Sequence, residues 1–273
     1  MNLASPLPAP GALTQLGRCL SVDALKLRRT AALWLALAGG ALPVLLNFLI
    51  FYSKGDKLLK PGQNPWPMYL NMSWQTASIL LLPLFVVLLS SLLLALEHRS
   101  TGWKQLLVQP VGRGAVYASK LLVLLGLNLL AQTLYVVLLL ASGVVLGWLR
   151  PELVFQQHLP HLAPLVLMLG HTFLATLGIL GVHYAVALAV RSFAGPLALG
   201  IGGIVTALTL LRWEHIDLIF YAAPTRVLSA MTGSKTGELL VKTGVSVAEW
   251  WSLAWFAGAV LVGYGLLRGR RVG

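Results

Sequence analysis

Charge is what this sequence has least of. Asp, Glu, Lys and Arg make up 10% of its 273 residues, against 58% for the apolar set. So few charges cannot clothe the surface of a water-soluble chain of this length. Cysteine is nearly absent too: Cys19 stands alone, which excludes an intramolecular disulfide framework. Cys19 follows Leu16-Gly17-Arg18, but the Ser5–Pro10 stretch has neither an apolar core nor a basic start. No signal peptide is therefore expected, and Cys19 reads as an ordinary thiol.

The motifs that carry catalysis are missing as well. No Gly-x-x-x-x-Gly-Lys-Ser/Thr loop occurs, and Gly233-Ser234-Lys235-Thr236-Gly237 lacks its Gly-Lys order. Neither His-Glu-x-x-His nor Gly-x-Ser-x-Gly is found. His171 and His183 sit twelve residues apart on one predicted helix, about 18 Å at the α-helical rise, so they cannot share an ion. His158 and His161 have the spacing of a helical metal pair, but Pro160 stands between them and no third ligand is near. The expectation is no catalytic residue, no metal and no cofactor held by this chain.

What is present is hydrocarbon-length apolar sequence. Blocks of about twenty residues, enough to cross ~30 Å as helix, fall at about 31–52, 76–96, 121–148, 163–190, 192–211 and 250–267. The pattern predicts an all-α integral membrane protein: one domain with six transmembrane helices over 1–273. Six spans place both termini on one side, and twelve of the twenty Lys and Arg fall there. The positive-inside rule makes that side the cytoplasm, giving N-in/C-in topology. The net charge of +12 then reflects orientation and contact with anionic membrane lipids, not nucleic acid. Before the first span, Leu20, Leu25 and Leu27 among charges suggest a helix lying on the inner surface. The outer loop Ser53–Gln75 is too rich in Pro and Gly to be helical throughout. The outer segment Arg212–Glu249 has an apolar stretch broken by Asp217, Pro224 and Arg226, which fits a pair of short half-inserted helices.

No predicted span has Asp, Glu, Lys or Arg in its middle. Asn47, Asn128, Gln132, His171 and His183 are the possible polar members of a pathway, each also able to serve as an interhelical hydrogen-bond partner. Gly143 and Gly147, four apart in Gly143-Val144-Val145-Leu146-Gly147, allow close helix approach within one subunit or between two. Between the second and third spans the chain becomes polar. There Trp103, Leu106, Leu107 and Pro110 fall at i, i+3, i+4 and i+7, one stripe of a short helix. Ser100 or Thr101 can cap its start, and Pro110 stops it. Such a helix either floats among headgroups or docks a cytoplasmic partner.

The run Glu97, Trp103, Lys104, Pro110, Val111, Arg113, Lys120 resembles the permeases of type-2 ABC exporters, most of all the lantibiotic-immunity and peptide-antibiotic branch. The resemblance extends to the plan of a basic N-terminal helix, six spans and a broken outer segment. It implies an ATPase-coupling helix carried by Glu97, Trp103, Lys104, Leu106, Leu107, Pro110 and Arg113. It further implies a separate ABC ATP-binding subunit that holds ATP and Mg, and a second permease copy or paralogue. Location in the bacterial cytoplasmic (inner) membrane and expulsion of an amphipathic or hydrophobic substrate also follow from it. The rival from another class is a membrane scaffold or assembly factor that transports nothing.

Overall fold

The computed structural model describes residues 11–28, 30–99, 112–190, 192–233 and 239–269. It is mostly helical. Helix α1 (Ala12–Leu27) precedes α2 (Ala31–Ala38) and α3 (Ala41–Leu58); α4 (Trp66–Thr76) runs through a π turn (Ala77–Leu81) into α5 (Leu82–Arg99). Then come α6 (Arg113–Leu149), α7 (Leu162–Ala189), α8 (Ala194–Thr209), the single turn α9 (Ala223–Arg226), strands β1 (Met231–Gly233) and β2 (Leu239–Val241), and α10 (Val247–Gly269).

Among the described residues, five helical units are long and apolar enough to cross a membrane: Ala31–Leu58, Trp66–Ala95, Arg113–Leu149, Leu162–Ala189 and Val247–Gly269. Their outward faces carry exposed Leu45, Leu49, Val137, Val166, Leu261 and Val262, which suits hydrocarbon as the solvent. The expected span at 192–211 is the short one. Its helix has 16 residues, Ala194–Thr209, so it reaches only about 24 Å.

Two further boundaries differ from the sequence reading. The second span starts at Trp66, not Thr76, because Pro65 and Pro67 begin the helix instead of breaking it. Proline costs nothing in a first turn, whose N–H groups have no intrahelical partner. The first span is interrupted at Gly39–Gly40, where a Cβ on Gly40 would lie 2.8 Å from the Tyr135 Cβ. Close approach to α6 at this point requires glycine.

The interior divides into two halves along the bundle. Toward the end where α1 lies, Val86, Leu89, Leu94, Leu124, Ile179 and Tyr184 are buried together. Toward the other end, an aromatic cluster fills the space between α3, α4 and α6. Phe51 and Tyr69 meet edge-to-face at 4.9 Å between centroids, and Trp66 and Phe155 at 5.3 Å. Val154 takes a left-handed φ of 51°, an unusual conformation for a β-branched residue. It precedes Phe155, which is fully buried and whose carbonyl accepts from Trp66 Nε1 at 2.9 Å. Gly143 exists for this cluster: a Cβ there would lie 2.4 Å from the Trp66 ring. The Gly143/Gly147 face therefore packs within the subunit, Gly147 standing against Phe155 and Gln156.

Candidate functional site

At the end carrying α1, the chain makes a charged lock. Asp23 on α1 lies 3.2 Å from Lys120 Nζ and accepts from Ser119 Oγ at 2.6 Å. Lys120 is buried although it sits seven residues inside α6. The pair fastens α1 along its Leu16, Cys19, Asp23 and Leu27 side, where Cys19 and Leu27 pack on the core. Partial burial, then the Asp23 carboxylate, raises the Cys19 thiol above its ordinary pKa, with Lys120 opposing. Beside this lock, Arg113 donates to the Arg268 carbonyl at 2.6 Å, and Gly112 N–H donates to Gln15 Oε1 at 2.8 Å. The start of α6, the end of α10 and α1 thus form one platform.

Of the expected coupling residues, Trp103, Lys104, Leu106, Leu107 and Pro110 lie outside the described residues, and Glu97 is placed only as part of α5. Arg113 is on the platform. The stripe would be carried by the chain between Arg99 and Gly112, which joins α5 to this platform.

At the opposite end, the segment after α8 does not form the expected pair of half-inserted helices. It makes the turn Ile216–Leu218, the short α9, a turn at Val227–Ala230 and an antiparallel hairpin pairing Met231 with Val241. Pro224 limits helix length on its N-terminal side, and backbone groups that a helix would satisfy are tied to neighbours instead. The Leu218 carbonyl accepts from Trp255 Nε1 at 2.9 Å, and Lys242 N–H donates to the Ala230 carbonyl at 3.0 Å. Asp217 and Arg226, which break the apolar run, pair with each other at 2.8 Å. The segment packs partly buried against α7 and α10, and a turn-and-hairpin segment replaces the expected pair of short helices.

The five polar residues expected along a pathway are buried in this protomer and hydrogen-bonded within it. Asn47 donates to the Pro43 carbonyl at 2.9 Å and to Thr76 Oγ1 at 3.0 Å. Asn128 and Gln132 both donate to Thr176 Oγ1, at 3.0 and 3.1 Å, joining α6 to α7. His183 Nε2 meets the Tyr221 hydroxyl at 2.7 Å, linking α7 to the segment that follows α8. His171 is the most elaborate. Its Nδ1 lies 2.6 Å from Glu249 Oε1, and its Nε2 lies 2.7 Å from the Lys242 carbonyl. A carbonyl only accepts, so Nε2 carries hydrogen and donates.

Glu249 is the functional-looking residue that the sequence reading left in a loop. It is 1% exposed and opens α10 as the far end of a capping box. Its Oε2 accepts from Ser246 N–H at 2.5 Å, and its own N–H donates to Ser246 Oγ at 3.4 Å. Ser246-Val247-Ala248-Glu249 was a legible signal for this; the His171 partner, 78 residues away, was not. One carboxylate therefore ties the hairpin's return to α7 and α10.

Such geometry defines a multi-pass helical membrane protein with α1 docked on the bundle at one end and a latched, partly buried segment at the other. Residues 19–206 match the model of the ABC-2 family transporter proteins, from α1 into α8. That is well over half of the chain, and the protein belongs to this family. It is a membrane permease component of an ABC transporter. No curated protein matches it significantly.

Proposed function

We propose that the chain is the permease of an exporter that expels an amphipathic or hydrophobic substrate, driven by a separate ABC ATP-binding subunit. Two permeases, identical or paralogous, would pair with two such subunits in a bacterial cytoplasmic membrane. The observation that carries this reading is membership of a transporter family by a chain without a phosphate-binding loop. Energy must then enter from a partner that holds ATP and Mg. The Trp103, Leu106, Leu107 and Pro110 stripe, with Glu97, Lys104 and Arg113 beside it, is the proposed grip. ATPase closure would pull on the segment that joins α5 to the platform of α1, α6 and α10, shifting the balance between inward-open and outward-open states. At the other end the latched segment would close the path.

In this reading both termini lie in the cytoplasm, and the short apolar helix Ala194–Thr209 makes the sixth pass beside the five long ones. Single cysteines at Gln63 and Gln157, in a chain with Cys19 replaced, should then react with an impermeant thiol reagent outside intact cells. One at Gly114 should stay unlabelled. The opposite pattern would reverse the orientation.

A pathway without fixed charge has little means of selecting small ions, and it favours a membrane-embedded cargo such as a peptide antibiotic. Cells expressing permease and ATPase should resist at least one membrane-active peptide or lipophilic antibiotic. That resistance should vanish when the partner's ATP hydrolysis is disabled. A broad panel with no ATP-dependent difference would remove this substrate class.

A further inference from the structure

Buried hydrogen bonds tie much of the bundle into one web. Asn47 joins α3 to α4 through Thr76 Oγ1 at 3.0 Å, and Trp74 Nε1 joins α4 to α7 through Thr172 Oγ1 at 3.1 Å. Asn128 and Gln132 join α6 to α7, and Tyr117 joins α6 to α10 by donating to the Val260 carbonyl at 2.7 Å. Between α7 and α10 the tie runs from side chain to backbone. Ser252 Oγ, fully buried, accepts from Gly178 N–H at 2.8 Å and lies 2.8 and 3.0 Å from the Leu174 and Ala175 carbonyls. Glycine is required there, since a Cβ on Gly178 would lie 3.1 Å from that hydroxyl. In hydrocarbon, where apolar burial does not drive helices together, such bonds hold them in a fixed register.

Among the described residues, α5 and α8 stand outside this web. Between Leu82 and Ala95, α5 makes no hydrogen bond to another element. Its buried Ser90 and Ser91 turn their hydroxyls back to the Val86 and Val87 carbonyls, at 2.8 and 2.7 Å. Nor does one leave α8, whose Thr206 and Thr209 return theirs to the Gly202 and Thr206 carbonyls. Helix α8 rests on its neighbours through glycine instead. A Cβ on Gly200 would lie 2.4 Å from Val87 of α5, and one on Gly203 2.0 Å from the Tyr221 ring. Dispersion contacts of this kind have no preferred partner atom, so they permit a sliding that hydrogen bonds resist. The boundary between web and loose helices is also irregular. Thr76 and Trp74 hold α4, and the π turn Ala77–Leu81 separates it from α5. In a π turn the hydrogen-bond ladder widens from four residues to five, and helices kink at such places. At its far end α5 runs into the chain between Arg99 and Gly112.

We propose that the protomer is built as two bodies. One is a hydrogen-bonded frame of α3, α4, α6, α7 and α10; the other is α5 with α8, a loose pair that swings on the π turn and slides along the frame. The segment after Arg99, at the end of α5, then drives the loose pair directly while the frame keeps its shape. That an ATPase supplies this motion rests on the exporter reading; the division into frame and loose pair does not.

The test measures distances between spin labels on the purified full chain in lipid nanodiscs, with Cys19 replaced. Labels at Val205 on α8 and at Ala95 on α5 are each paired with one at Leu261 on α10. Leu49 on α3 with Leu261 is the frame control. Both loose-pair distances should be more broadly distributed than the control. With the partner subunit held in its ATP-bound form, they should shift by roughly 2–5 Å, between a helix shift and a one-turn ratchet, while the control stays fixed. Ser252→Ala removes a tie of the frame and should broaden the distance between labels at Val166 on α7 and Leu261. Ser90→Ala and Ser91→Ala delete buried hydroxyls that tie no two helices, and should broaden nothing. Equal widths for the three wild-type pairs, a control that shifts as far as the others, or equal effects of the three serine variants would overturn the two-body division. Broad loose-pair distances that ignore ATP would leave the division standing and sink the ATP coupling instead.

Discussion

Glu249→Ala should destabilise the protein by about 3–5 kcal/mol, the cost of removing one partner from a buried, hydrogen-bonded pair. The substitution takes away the partner of His171 Nδ1, which is 2.6 Å from Glu249 Oε1, and the acceptor of the Ser246 N–H. His171, itself only 5% exposed, would be left with the Lys242 carbonyl alone. Glu249→Gln should cost less, because glutamine also closes a capping box and can still hydrogen-bond the ring. Ser246→Ala should cost least, since its hydroxyl makes only a 3.4 Å bond. Unfolding of the purified chain in denaturing detergent would give this order. Equal, small effects at all three positions would mean that the latch does not hold the 231–246 segment.

Lys120→Met should have an effect of the same order at the other end. It leaves the Asp23 carboxylate, 12% exposed, with Ser119 Oγ but without the ammonium beside it. We expect α1 to lift from α6, and Cys19 reports this with a sign. The thiolate is the reactive form. Burial and Asp23 now hold the thiol's pKa up, so at neutral pH the thiolate fraction is low. If α1 detaches, the burial effect disappears, the pKa falls toward its ordinary value and Cys19 labels faster. If α1 stays docked, only the opposing influence of Lys120 is lost, the pKa rises and labelling slows. A slower rate in Lys120→Met would therefore contradict the lock.

The two ends of the molecule were unequally legible in the sequence. The fourth span, expected at 163–190, is observed at Leu162–Ala189, since nothing but apolar run length decides it. Trp66, Tyr69 and Trp74 were assigned to a loop because prolines and polar residues surround them. Trp66 packs on Gly143 and Phe155, Tyr69 on Phe155 and Trp74 on Tyr135, all distant in sequence, which no local pattern reveals. Lys120 was marked by family resemblance, but its partner Asp23 lies 97 residues away. The hairpin has three-residue strands, too short for any alternation to register. The polar residues Asn47, Asn128, Gln132, His171 and His183 are legible as such in the sequence, but their partners are not: all five are hydrogen-bonded in the protomer, four between helices and His183 to Tyr221 in the irregular segment after α8.

In the proposed function an ATPase moves this chain through the segment between α5 and α6. It is tested most directly by co-purifying the tagged permease from its native cells and assaying the eluate for a nucleotide-binding subunit and its ATP hydrolysis. The account predicts that such a subunit is retained, and that Trp103→Ala, Leu106→Ser or Leu107→Ser each release it or abolish stimulation of its activity while the permease remains in the membrane. Matched substitutions at Ser100 and Gln105 should leave both intact. A permease that purifies without any nucleotide-binding subunit, or a complex equally indifferent to all five substitutions, would contradict it.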